Sequence, residues 1–125
     1  MNRLFSFLPK PAPMRPESRV YDLKARLDWG EPALTIIDVR DRATFNSSHV
    51  QGAISVPVEE LVARITTLLE PSRDIYLYGD TDEESTIAAE SLRHAGYQKV
   101  SILRGGAAAW KAAGFPIEVT SVIGV

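Results

Sequence analysis

From residue 18 onward the apolar side chains recur in two alternating rhythms, one helical and one continuous. Val20, Leu23 and Leu27 share one face at helical spacing, which predicts a helix over 19–29 with Ser18 at its N-cap and Gly30 ending it. Residues 34–39 form a short run rich in branched apolar side chains, the pattern of a buried strand. A second strand is predicted at 54–56. Pro57 then opens a helix with Glu59 and Glu60 at its positive end; Leu61, Val62, Ile65, Leu68 and Leu69 form its buried stripe, and Pro71 stops it. Residues 75–78 read as the third strand. A helix over 85–95 follows, carrying Ile87, Ala88, Leu92 and Ala95 at helical spacing up to Gly96. A fourth strand at 100–103 leads into a small-residue helix over 106–113, ended by Gly114 and Pro116.

Strands alternating with helices predict an α/β fold, a mostly parallel central sheet with helices on both faces. Ligands bind such sheets at the carboxyl ends of the strands, where loops enter helices. The loops after Val39 and after Tyr78 are therefore the candidate sites.

Composition narrows the chemistry. With 125 residues, 45% hydrophobic and 24% charged, the chain has the size and balance of one ordinary globular domain. It contains no cysteine, which removes disulfides, thiolate metal sites and cysteine nucleophiles together, and leaves the redox compartment open. A net charge of -2 gives no reason to expect nucleic acid as a partner. Neither a cofactor nor a metal is expected. No stretch approaches the roughly 18 to 20 consecutive apolar residues of a membrane span.

The first 17 residues read as a tail and proline-rich linker, with Pro9, Pro11, Pro13 and Pro16. The apolar patch of Leu4, Phe5, Phe7 and Leu8 is too short for a signal-peptide core and lacks a small-residue cleavage site, so a cytoplasmic location is expected. Arg3, Lys10 and Arg15 surround that patch without an acid. The tail is either disordered or laid against its own domain, or it touches a membrane surface or a partner groove.

Four motifs occur in order: Asp38-Val39-Arg40 after an apolar run, His49-Val50-Gln51-Gly52-Ala53, Arg104-Gly105-Gly106, and Trp110 closing the next helix. In that order and spacing they resemble the rhodanese homology domain. The resemblance covers residues 18–118, leaving the tail at 1–17 and residues 119–125 outside it, and it implies the rhodanese-like three-layer α/β fold. Sulfurtransferases of that family work through one cysteine at the start of the loop between a central strand and its helix. A typical loop reads cysteine, two variable residues, glycine, one variable residue, then arginine or serine. Its backbone N–H groups and the helix's positive end stabilise an anionic persulfide.

On this pattern Gly79 takes the cysteine position, Asp82 the glycine position and Glu84 the place of the basic residue. Asp80, Asp82, Glu83 and Glu84 bring four negative charges to a site that attracts anions in active relatives. Each like charge within about 5 Å opposes a bound anion by roughly 1 to 3 kcal/mol at intermediate dielectric. The degenerate loop, Gly79 to Ser85, therefore implies a catalytically inactive domain that acts as a binding or regulatory module. The alternative is an enzyme with residual or relocated chemistry on a non-cysteine nucleophile, Thr81 or Ser85, for which no activating base is evident. The acidic run itself has two readings. Thr81 and Glu84 have the spacing of a capping box, and carboxylates favour a helix N-terminus; alternatively the run receives a cation or, as partner, a basic protein segment. A chelated metal is disfavoured, because no histidine lies nearby in sequence.

The remaining family positions are structural on this reading. Asp38 and Arg40 hold loops by hydrogen bonds and ion pairs, while Thr44 stands where relatives commonly have glutamate, leaving Arg40 without that partner. His49 takes a hydrogen-bonding role, Gln51 replaces a proline, and Gly52 completes its segment. Gly105 and Gly106 permit a close turn from strand to helix, and Trp110 with Phe115 packs the domain's end.

Overall fold

The computed structural model describes residues 13–30 and 33–120. Along the chain these form β1 (Glu17–Ser18), α1 (Val20–Trp29), β2 (Leu34–Asp38), α2 (Arg42–Ser47), β3 (His49–Val50) and β4 (Ile54–Ser55). A 3-10 turn (Val58–Glu60) enters α3 (Leu61–Leu68), followed by β5 (Asp74–Tyr78), α4 (Asp82–His94), β6 (Val100–Leu103), α5 (Gly106–Ala112) and β7 (Ile117–Glu118). Five strands make one parallel sheet in the order β1-β6-β5-β2-β4, the expected α/β architecture.

Strand periodicity sorts the core into two layers, because successive side chains point to opposite faces. Ile37, Ile75, Leu77 and Ile102 meet Leu61 and Ile65 of α3 and Ala88 and Leu92 of α4 on one face. On the other, Ile36, Tyr76, Tyr78 and Leu103 meet Val20 and Leu23 of α1 and Trp110 of α5. With both faces covered, the central strands are apolar over most of their length, as the continuous runs predict. β2 and β5 pair from Leu34 with Asp74 to Asp38 with Tyr78. Their loops therefore leave the sheet side by side, and the Val39 N–H donates to the Tyr78 carbonyl at 3.0 Å.

Several local expectations are corrected. Ser18 does not cap α1; it lies in β1, where its hydroxyl meets that of Ser101 at 2.6 Å. The helix start is held instead by the Asp22 carboxylate, which accepts the Arg19 N–H at 2.9 Å. Leu27 is 37% exposed, and Arg26 takes the inward position, donating to the Tyr76 hydroxyl at 3.1 Å and to Asp74 at 2.9 Å. A guanidinium is buried there because a carboxylate and a phenol receive it. Val62, Leu68 and Ile87 also face outward, since α3 and α4 each spend a narrower stripe on the sheet than the apolar pattern suggests. Pro57 precedes the 3-10 turn rather than an α-helical turn, and α4 begins at Asp82, three residues before the expected start. β1, α2 and the antiparallel pair of β3 with β7 are additions that the pattern did not predict. The tail patch, Arg3 to Lys10, lies outside the described residues.

Candidate functional site

The neighbouring ends of β2 and β5 are fixed by a buried charge. Asp38 is fully buried and accepts from the Arg40 N–H at 3.0 Å, from Nε at 3.0 Å and 3.1 Å, and from Nη2 at 2.6 Å. Arg40 Nη2 also donates to the Ser48 carbonyl at 2.7 Å, tying the loop after β2 to the end of α2. Thus Arg40 finds its carboxylate within its own motif, and Thr44 serves elsewhere: its N–H donates to Asp41 Oδ1 at 2.8 Å, the N-cap of α2. Burial pulls the Arg40 pKa down, but the hydrogen bond and charge of Asp38, with Tyr78 and Asp80 adding, raise it overall. The guanidinium carbon lies 5.3 Å from the centre of the Tyr78 ring. Tyr78 accepts the Val50 N–H at 3.1 Å, and burial, then the Asp38 charge, pushes its hydroxyl pKa far above the ordinary tyrosine value.

Gly79 is buried at the carboxyl end of β5. Its N–H donates to Ser85 Oγ at 2.8 Å, and that hydroxyl donates to the Thr81 carbonyl at 2.9 Å. Ser85 is thereby held as a brace inside the loop, without a base to activate it. Thr81 Oγ1 accepts the Glu84 N–H at 3.1 Å and is the N-cap of α4. A Cβ at position 79 would stand 3.3 Å from Val39 Cγ2, 3.4 Å from Glu84 Cβ and 3.6 Å from Ser85 Oγ. Gly79 is absent from the glycines with positive φ, so the backbone there accepts any residue whose side chain fits.

The four carboxylates of the loop are not equivalent. Asp82 Oδ1 accepts the Gly105 N–H at 2.9 Å, and Oδ2 lies 4.0 Å from Arg104 Nε. It joins the start of α4 to the turn between β6 and α5. That turn needs its glycines: Gly105 has φ 74° and a Cβ there would sit 2.5 Å from Ala109 Cβ, while one on Gly106 would meet the Gly79 carbonyl at 3.3 Å. Glu83 is exposed. Asp80 and Glu84 line a cleft of about 400 Å³ with Val39 and Arg40, and two acids absent from the sequence reading of the site, Asp41 and Glu59, join them. Asp41 follows Arg40 directly, but its convergence with Asp80 depends on the β2–β5 pairing, which the sequence does not display.

His49 lies in β3 and takes no part in this loop. Its Nδ1–H donates to the Phe45 carbonyl at 2.7 Å, its ring stacks 3.7 Å from that of Phe45, and Nε2 is 3.6 Å from Glu118. Gly52, with φ 87°, donates its N–H to Glu118 at 2.9 Å. Trp110 is buried, donates Nε1–H to the Pro116 carbonyl at 2.6 Å and packs edge to face on Phe115 at 5.0 Å. Among the described residues no group of three or more histidine or carboxylate side chains is gathered as metal ligands. None of the described helices is long and apolar enough to cross a membrane.

Fold and loop together define a class, a three-layer α/β domain with a strand-loop-helix pocket that has no side chain at its chemical position. The family model described as the rhodanese-like domain matches residues 20–113, and the chain belongs to that family. The chain has no cysteine, the residue on which the family's sulfurtransferases act. The crystal structure of the Alr3790 protein from Anabaena sp. is 54% identical, with a TM-score of 0.81 over 82% of this chain and 80% of that one. The thiosulfate sulfurtransferase PspE of Escherichia coli is 37% identical over 65 residues, 51% of this chain and 62% of that protein. An HTH-type transcriptional regulator of Mycobacterium tuberculosis, Rv0324, is 32% identical over 105 residues, 82% of this chain and 45% of the regulator. The chain spans about half the length of the first curated relatives it matches.

Proposed function

We propose that this rhodanese-like domain, taken as residues 18–118, is silent in sulfur transfer and works in the cytoplasm as a binding or regulatory module whose former active-site loop receives a basic protein segment. The observation that carries this reading is the missing thiol. A sulfurtransferase of this family holds the transferred sulfur on its cysteine as a persulfide, and this chain has no cysteine at Gly79 or anywhere else. Loop hydroxyls offer no substitute, since Ser85 is engaged as both donor and acceptor and Thr81 caps α4. The relocated-nucleophile alternative has no observation in its favour.

A thiosulfate and cyanide assay tests the proposal. The unmodified protein is expected at background; robust turnover would overturn the reading. Gly79→Cys is expected to restore little, although the Cβ fits with shifts of a few tenths of an ångström. Asp80 and Glu84 beside the new thiol raise its pKa and repel an anionic donor. Strong rescue by that substitution would show that the loop's field is weaker than its charges suggest.

A further inference from the structure

The unpaired acids and the unpaired apolar side chains of this surface occupy the same cleft. Carboxylates reach it from three segments: Asp41 after β2, Glu59 in the 3-10 turn, and Asp80 with Glu84 at the start of α4. Glu59, Asp80 and Glu84 form no side-chain hydrogen bond or ion pair with another described residue. The nearby arginines are already committed, Arg40 to Asp38, and Arg42 and Arg64 to Glu60. Between these acids lie Val39, Val58 and Ile87, the last two 47% and 63% exposed. An isolated exposed isoleucine needs no explanation. One that shares a concave, acid-rimmed cleft with an exposed valine offers a partner both apolar contact and charge complementarity.

We propose that this cleft docks a basic segment of a partner protein that carries a large apolar side chain between lysines or arginines. The apolar side chain covers Val58 and Ile87, and the flanking cations lie against Glu59, Asp80 and Glu84. The inference rests on the reading of the domain as a binding module and adds what that partner must contain. A volume of about 400 Å³ suits one such side chain with the aliphatic stems of its neighbours. It also moves the recognition surface away from Asp82, whose carboxylate is held by Gly105, and toward α3.

Fluorescence anisotropy with three short labelled peptides tests this on the intact protein: one alternating lysine with phenylalanine, one lysine with serine, and one glutamate with phenylalanine. The lysine and phenylalanine peptide is expected to bind, the serine version about tenfold more weakly, and the glutamate version not at all. Ile87→Ser, at an exposed position, is expected to weaken the first peptide about tenfold without altering the melting temperature. Joint Glu59→Gln and Glu84→Gln substitution weakens both lysine peptides and flattens their salt dependence, whereas Glu83→Gln, outside the cleft, changes neither. Equal affinity for the two lysine peptides, or indifference to Ile87→Ser, overturns the inference and leaves an acidic surface of the kind proposed above. Binding by none of the three peptides overturns both the inference and the basic partner; the sulfur-transfer assay still decides catalytic silence by itself.

Discussion

Asp38 shows what a family motif residue does when chemistry is set aside. Its carboxylate has no solvent exposure, so its charge is tolerable only while Arg40 and the local N–H groups surround it. Replacing Arg40 with alanine leaves that charge alone in the interior. A loss of about 3–5 kcal/mol is expected, read as a lower urea midpoint in equilibrium unfolding. The double variant Asp38→Asn with Arg40→Gln removes both charges, and its recovery of part of the loss would separate pairing from packing. Residue identity alone was a guide to position here: Asp38 ends β2, Gly79 directly follows β5, and Trp110 is buried in α5. It was a poor guide at Leu27, Val62 and Ile87, whose apolar character does not reveal that the sheet has no room for them.

Among the elements, β2, β5 and β6 were legible because parallel strands buried on two faces are written as largely apolar runs, and the short β4 fell within the stretch predicted at 54–56. β1, β3 and β7 were not, since each has two residues and owes its existence to a distant partner rather than to its own pattern. The same limit hid the cleft, which forms only once β2 and β5 lie in register. Coupling between elements also changes what the acidic turn means. Asp82→Ala breaks the link from α4 to the Gly105 N–H and removes a carboxylate from a helix N-terminus; a loss of about 1–2 kcal/mol is expected in thermal or urea unfolding. Asp82→Asn keeps an acceptor oxygen and should lose less, while Glu83→Ala at the exposed neighbouring position stays within about 0.5 kcal/mol of the parent.

For the whole molecule, net charge is an incomplete description: a total of -2 includes a cleft where four carboxylates face a single arginine already bound to Asp38. Stability toward alkali has a similarly local origin. Tyr78 keeps its proton in the fold because burial, then Asp38, raises its pKa, so the folded state favours the neutral form. This contribution is fully present below the ordinary tyrosine value of about 10 and is lost as pH rises above it, when the unfolded chain gives up the proton first. Unfolding free energy is therefore expected to decline on the alkaline side, with Tyr78→Phe showing a shallower decline. A phenolate absorbance that appeared at Tyr78 before any loss of structure would contradict the assignment.

The bond from Asp82 to Gly105 also constrains any redesign of the loop. A glycine at position 82, as in the typical sulfur-transferring loop, has no side chain with which to hold that N–H. A variant given cysteine at position 79 would still have to surrender this bond before its loop matched the typical sulfur-transferring pattern, at a cost in folding stability. The contact thus acts as a lock: a carboxylate that helps hold the domain together occupies the position where the sulfur-transferring pattern typically has glycine.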